Sequence, residues 1–241
     1  MLVLTNQIES FSDIDFREGA VILINKPLNW TSFDVVNKIR YLLRKKYDTR
    51  KIKVGHNGTL DPLATGLVMI FTGKYTKRIP LEEKHDKRYQ ASVKFGATTA
   101  SLDREEEEID FMPFNHITFE AITSECLSFI GDSEQIIPSF SATKIKGRPM
   151  YKMAREGLEV PIKKKSVTIY SMNCTSYSIP YAEIDIHCSK GTYVRAIARD
   201  LGQRMGTSAY LYGLERTHIA NYDLSKAFEI DNFCNLLMES I

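Results

Sequence analysis

The chain changes hydrophobic period several times, and each change marks an element. Residues 20–25, Ala-Val-Ile-Leu-Ile-Asn, are apolar on both faces and predict a buried strand. Residues 31–46 move to helical spacing, with Phe33, Val36, Ile39 and Leu43 on one face and Thr31 or Ser32 as the cap. Leu67-Val68-Met69-Ile70-Phe71 predicts a second buried strand. Tyr89, Ala91, Val93 and Phe95 alternate with polar residues up to Gly96, the signature of a half-buried strand. Residues 118–130 predict an amphipathic helix closed by Gly131. Strands are expected over 167–172 and 182–188, the latter alternating Ala, Ile, Ile and Cys with Glu, Asp and His. A third helix is expected over 192–205, with Val194, Ile197, Ala198 and Leu201 inward. Strands outnumber helices and hairpin-like neighbours occur. The pattern therefore predicts an α/β chain of α+β type, a mixed, largely antiparallel sheet flanked by helices.

Composition narrows the class without naming it. A chain of 241 residues can bury one sizeable core, or a core with a small insertion. No internal repeat or low-complexity linker divides it, so a single domain is expected over 1–241. No run of eighteen apolar residues exists, so no membrane span is expected. Residues 1–7 lack the basic flank and long apolar stretch of a signal peptide. Cys126, Cys174, Cys188 and Cys234 form no CxxC pair, which supports neither a zinc ribbon nor a redox dithiol. Four buried thiols in a reducing, cytoplasmic setting are expected. His85, His116, His187 and His218 share no ligand spacing, so no metal site is argued.

Charge is unevenly placed although the net value is only +2. Residues 38–53 carry Lys38, Arg40, Arg44, Lys45, Lys46, Arg50, Lys51 and Lys53 against Asp48 alone. Residues 144–165 carry Lys144, Lys146, Arg148, Lys152, Arg155 and Lys163 to Lys165 against Glu156 and Glu159. Such runs are commonly solvated faces; here they are also candidate phosphate contacts. The acidic stretch 103–110 reads as a solvated loop.

The densest chemistry lies at residues 55–66, Gly-His-Asn-Gly-Thr-Leu-Asp-Pro-Leu-Ala-Thr-Gly. Three glycines permit close approach to the main chain, and Pro62 biases Asp61 away from helical geometry. By residue type alone two readings stay open: a carboxylate held out on a rigid loop, or a tight turn in which Asp61 bonds its own backbone.

Gly-His-x-Gly-Thr-Leu-Asp-Pro-x-Ala-Thr-Gly-Leu at 55–67 resembles the active-site motif of the TruB family of tRNA pseudouridine synthases. Lys26-Pro27 with Thr31-Ser32, Lys87-Arg88-Tyr89, Pro138 to Lys144 with Gly147, Tyr151, Ala154-Arg155 and Gly157, Gly191 to Arg195 with Asp200-Leu201-Gly202, and Leu214 to Thr217 resemble further family segments in order. The resemblance covers roughly residues 19 to 231 and implies the pseudouridine synthase fold.

It also implies a reaction and the residues that carry it: conversion of uridine to pseudouridine at position 55 in the TΨC arm of tRNA, by base flipping, with Asp61 as nucleophile. Arg195 would be the charge partner of Asp61, and Tyr89 the stacking residue that handles the C5 proton. Leu214 would form a wall of the base pocket, and His56 would help to flip the base rather than act as a base itself. Gly58, Thr59, Leu60 and Tyr193 would line the substrate site, with Arg44, Lys45, Lys46 and Lys144 at phosphates; Lys26, with Pro27, would either shape the loop beneath the catalytic one or contact RNA. Residues 138–160 would form an RNA-clasping insertion. No cofactor is expected, because substrate and product are isomers; a monomer acting on tRNA is expected. Three features depart from the family pattern: Ala100 fills an acidic slot, Glu215 replaces an arginine, and Ala220-Asn221-Tyr222 stands where Gly-Pro-Phe is common. Too few residues follow Tyr222 for the small C-terminal RNA-binding domain that many relatives carry, so the catalytic domain alone is expected. The rival readings are an RNA-binding chaperone of the tRNA elbow and a carboxylate glycosidase or ribosyl-transferring enzyme. A glycosidase would need two cooperating acids.

Overall fold

Two apolar runs form neighbouring strands of the main sheet. Val21–Lys26 pairs antiparallel with Ala64–Thr72, setting Val21 opposite Phe71 and Lys26 opposite Gly66. Val3–Leu4 and Phe228–Glu229 join Val21–Lys26 in parallel, and Val54–His56 lies antiparallel to Ala64–Thr72. Both strands are apolar at successive positions because both faces are covered; Val21 to Ile24 and Leu67 to Phe71 are almost fully buried. Val21, Leu23, Leu67, Met69, Phe71 and Ile219 form one layer. Phe11, Phe16, Phe228 and Phe233 make a separate aromatic cluster, with ring centroids 5.1 to 6.5 Å apart. These elements belong to the first of two compact units in this computed structural model, which describes residues 1–240. The first unit holds residues 1–88 and the chain from Glu215 onward; the second is Tyr89–Leu214.

The first helix is Ser32–Lys46. The Thr31 hydroxyl accepts the Asp34 amide at 3.0 Å, and the Asp34 carboxylate accepts the Thr31 amide at 2.8 Å, a reciprocal cap. Its buried stripe is Ser32, Val35, Val36, Ile39, Leu42 and Leu43. Phe33, expected inward, is 57% exposed. It lies about 100° around the helix from Ser32 and shares a face with Arg40 seven residues on, whose guanidinium covers the ring at 5.7 Å.

The second unit orders its strands Lys87–Phe95, Tyr181–Cys188, Lys164–Ser178 and Gly131–Ile136, the last two pairs antiparallel. Helices Phe119–Ser128 and Val194–Arg204 pack on a core that includes Ala91, Val93, Phe95, Ile122, Ile184, Ile186, Ile197 and Leu201. The helix expected to close on Gly131 ends at Ser128 instead, with Phe129 as its C-cap. Gly131, at φ 112°, opens the strand Gly131–Ile136, which the hydrophobic pattern does not reveal. That strand lies at the sheet's end and buries only Gln135, so it lacks the alternation of a half-buried strand. All four cysteines are buried and free. Residues 138–160 carry the paired strands Lys144–Ile145 and Arg148–Pro149 around Lys146-Gly147, then the helix Met150–Arg155. Met150 is the buried apolar anchor of that helix. Among the described residues, no helix is long and apolar enough to cross a membrane.

Candidate active site

Asp61 sits half-buried on the loop that joins Val54–His56 to Ala64–Thr72. The Ala64 amide donates to the Asp61 carbonyl at 3.0 Å, so Asp61-Pro62-Leu63-Ala64 is a closed turn. Three neighbours fix this loop. From the first turn of the first helix, Ser32 accepts the Leu60 amide on its hydroxyl at 2.9 Å. From the end of Val21–Lys26, the Lys26 ammonium donates to the carbonyls of Pro27 at 2.9 Å, Trp30 at 2.6 Å and Pro62 at 3.4 Å. From the strand Ala209–Ile219, Arg216 donates from Nε to the Leu67 carbonyl at 2.7 Å and from Nη2 to the Gly58 carbonyl at 3.2 Å.

Gly66 makes that third contact possible. It has φ 105°, and a Cβ there would stand 2.6 Å from the Arg216 amide nitrogen. Only a residue without a side chain allows the two backbones to approach this closely.

The loop is electrostatically unusual. Lys26 is fully buried, and burial brings its ammonium down to about 8 while the Asp61 carboxylate resists that fall. Arg216 is also buried, so two desolvated cations sit beneath a loop that bears one carboxylate. Burial, followed by the Arg216 charge, moves His56 below the ordinary histidine range. The imidazole is therefore neutral near pH 7 and carries no positive charge to the loop.

Lys26, expected either to shape the loop beneath Asp61 or to contact RNA, is fully buried and bonded to that loop's carbonyls, and Leu60, expected at the substrate, is buried. Gly58 supplies the carbonyl that Arg216 grips, and Thr59 is exposed. Arg44 and Lys45 are exposed at the end of the first helix. Lys46 is committed elsewhere: its ammonium donates to the Ser240 carbonyl and, at 2.8 Å, to the Ser240 hydroxyl.

In the second unit, Arg195 is not the surface helix residue, paired with Asp200 or Glu183, that its position would otherwise suggest. It is 6% exposed and donates to the carbonyls of Ser101 at 2.8 Å and Phe140 at 2.9 Å. Asp103 Oδ2 lies 3.4 Å from its Nη1. Asp103 in turn accepts the Ser101 hydroxyl at 2.6 Å and the Glu105 amide at 3.0 Å. The acidic stretch is thus not uniformly solvated, since its first member is buried against an arginine; Asp200 pairs with Arg199.

Tyr193 caps the same helix, donates its amide to Gln135 Oε1 at 2.8 Å, accepts Gln135 Nε2 on its carbonyl at 3.1 Å, and places its hydroxyl 3.2 Å from Thr143. Residues 138–143 are consequently tied to the Arg195 helix at Phe140 and Thr143, whereas Lys144 beyond them is exposed. Tyr89 and Leu214 are half-buried against one core.

Sequence reasoning missed Ser32, Arg216 and Asp103 as organisers of these two places. Gly66 carried a signal for Arg216, because a glycine inside an apolar strand marks a close backbone approach. Among the described residues, no group of three or more His, Cys, Asp or Glu side chains gathers as a metal would require.

The model of the TruB family pseudouridylate synthases (N-terminal domain) matches residues 44–194. A tRNA pseudouridine synthase B of Parabacteroides distasonis is 46% identical over 223 residues, covering 91% of this chain and 95% of the relative. Its counterpart in Flavobacterium johnsoniae is 42% identical and covers 91% and 96%. Among solved structures, a chain of a Cbf5–Nop10–Gar1 complex superposes with TM-score 0.69 at 20% identity, over 91% of this chain and 54% of that one. A chain of an H/ACA RNP bound to a substrate RNA containing 2′-deoxyuridine gives TM-score 0.65 at 19% identity, over 94% and 56%. This chain spans about half the length of those two, and at such identity the likeness speaks for the fold. The family match and the near-full-length relatives agree with the loop just described: this chain belongs to the TruB family of pseudouridylate synthases.

Proposed function

We propose that this protein converts uridine to pseudouridine in tRNA, at position 55 of the TΨC arm. In that reaction the bond from N1 to C1′ breaks and the uracil turns. A bond from C5 to C1′ then forms, C5 gives up its proton and N1 gains one. Substrate and product are isomers, so no oxidant, reductant or group donor enters the balance. Asp61 supplies the carboxylate at the sugar. Tyr89 stacks on the flipped base and takes part in moving the C5 proton, and Arg195 supplies positive charge to the reacting centre. His56 stays neutral and helps to displace the base. Thr59, Tyr193 and Leu214 contact the nucleotide, while Arg44, Lys45 and Lys144 contact phosphates. Residues 138–160 act as a clasp, fixed at Phe140 and Thr143 and exposed at the Lys144 to Arg148 hairpin.

The observation that carries this reading is the Asp61 turn gripped by Ser32, Lys26 and Arg216. The turn is already closed by the Asp61 main-chain carbonyl, so those three contacts serve to fix the loop that carries the carboxylate. Incubation with an unmodified tRNA transcript, followed by mapping of pseudouridine, tests it. One modified uridine in the TΨC loop is expected, and Asp61→Asn should bind the transcript without modifying it. Modification by Asp61→Asn at more than a few per cent of the wild-type rate would remove the carboxylate from the mechanism.

A further inference from the structure

A cationic cleft lies in the same unit as Asp61, at the opposite end of the strand that leaves its loop. It encloses about 300 Å³ and is lined by Arg17, Lys51, Lys53, Lys74 and Lys77 around Ile52, Gly73 and Thr76. Five of its eight lining residues are cations and none is an acid, which no single run of the sequence would produce. Three separate segments bring them together. The Gly73 amide donates to the Lys53 carbonyl at 2.9 Å, and a Cβ on Gly73 would stand 2.6 Å from the Phe16 carbonyl oxygen. The turn before Arg17, the approach to Val54 and the start of the segment Gly73–Arg78 therefore touch through their backbones. Asp15 and Glu18 answer Arg17 and Lys74 at 2.9 and 2.5 Å, both as exposed pairs. Among the described residues no carboxylate pairs with Lys51, Lys53 or Lys77. The cleft and its two acidic neighbours thus keep a net charge of about +3, five cations less two acids.

We propose that this cleft holds the phosphate backbone of the RNA substrate at a distance from the modified nucleotide, an inference that rests on the RNA-modifying reading above. All five cationic residues are exposed, so the cleft is an open basic surface rather than an enclosed anion pocket. That arrangement suits a phosphodiester strand passing along the cleft better than a single captured anion. Ala64 borders the Asp61 turn and Thr72 borders the cleft, and the strand between them spans about 26 Å at ~3.3 Å per residue. The RNA reached here is consequently not the target loop but flanking structure most of a duplex turn away.

The test measures dissociation constants across a range of salt for two probes, a full-length unmodified tRNA transcript and an isolated stem-loop carrying the target uridine. The triple variant Lys51→Gln, Lys53→Gln, Lys77→Gln should bind the full-length transcript at least tenfold more weakly at low salt. Its salt slope should be lower by about two to three, near one per lysine. Stem-loop affinity should change less than twofold, and the corresponding Lys→Arg triple should restore full-length binding. Equal losses on both probes, or unchanged full-length binding, would overturn the cleft's role. Binding needs no turnover, so a wild-type protein that shows the salt effect yet forms no pseudouridine would refute the proposed reaction and leave the cleft intact.

Discussion

Lys26→Met isolates the loop's anchor from the protein's stability. Holding the ammonium in the folded chain at about 8, against 10.5, corresponds to a cost of about 3 kcal/mol when it is charged. Methionine removes that cost. It also leaves the Pro27 and Trp30 carbonyls without this donor, at about 1–3 kcal/mol each. Pro62 is spared, because its carbonyl also accepts the Asn29 amide at 2.9 Å. The two effects nearly cancel, leaving about 1 kcal/mol of destabilisation and a melting temperature lower by about 2–4 °C. Catalysis has no such cancellation. Pro62 follows Asp61, and a carboxylate misplaced by about 1 Å costs about a hundredfold in kcat. Thermal unfolding and single-turnover assays on a tRNA transcript read the two quantities separately. A melting point lower by more than about 10 °C, or kcat within threefold of wild type, would refute the anchoring role. The pH dependence supplies an independent sign. Below pH 8 Lys26 is charged in both folded and unfolded chains, and the whole cost is present. Between about 8 and 10.5 the folded chain has shed a proton that the unfolded chain keeps, so wild-type stability should gain on Lys26→Met as pH rises. A difference that is flat or falling through that window contradicts the assignment.

Two substitutions test the surrounding framework. Gly66→Ala places a Cβ against the Arg216 backbone at φ 105° and should cost about 2–4 kcal/mol, read as a clear drop in melting temperature; a shift under 2 °C would show that the strands can part there without penalty. Tyr89→Phe keeps the ring proposed to stack on the base, a contribution of about 1–3 kcal/mol, so tRNA affinity should hold while isomerisation slows by at least tenfold. Parallel loss of affinity and rate would mark Tyr89 as a framework residue instead.

The legible parts of this fold are those where packing leaves a period in the sequence. Val21–Lys26 and Ala64–Thr72 show as apolar runs because both their faces are covered. Lys87–Phe95 and Tyr181–Cys188 show as alternation because one face is wet. Gly131–Ile136 stayed hidden because an end strand stabilised by ladder bonds needs few apolar side chains. The division into two units left no trace either. The chain crosses between them at residues 88 to 89 and 214 to 215, inside the strands Lys87–Phe95 and Ala209–Ile219, where no flexible or proline-rich linker is needed.

The site divides in the same way. The turn at Asp61 was legible because Gly, Pro and a carboxylate at fixed spacing constrain a backbone locally, whereas a role for the carboxylate came only from the motif's resemblance to a family. Lys26 was singled out by the resemblance, but its burial and that of Arg216 were not legible, since residue type assigns both to the surface and only tertiary contacts bury them. Lys26 ends a strand whose neighbours are apolar on both faces, so its side chain enters the interior by register, and the carbonyls at the loop's turns are the acceptors it meets there. Arg216 enters because Gly66 lets its backbone come close. A buried cation is stable only where such acceptors are provided. Here the segments that provide them, Pro27 to Trp30, Gly58, Pro62 and Leu67, include or flank the loop that presents Asp61. Burying the two cations and holding the carboxylate in position are therefore one structural solution, and a substitution that relaxes the first should loosen the second.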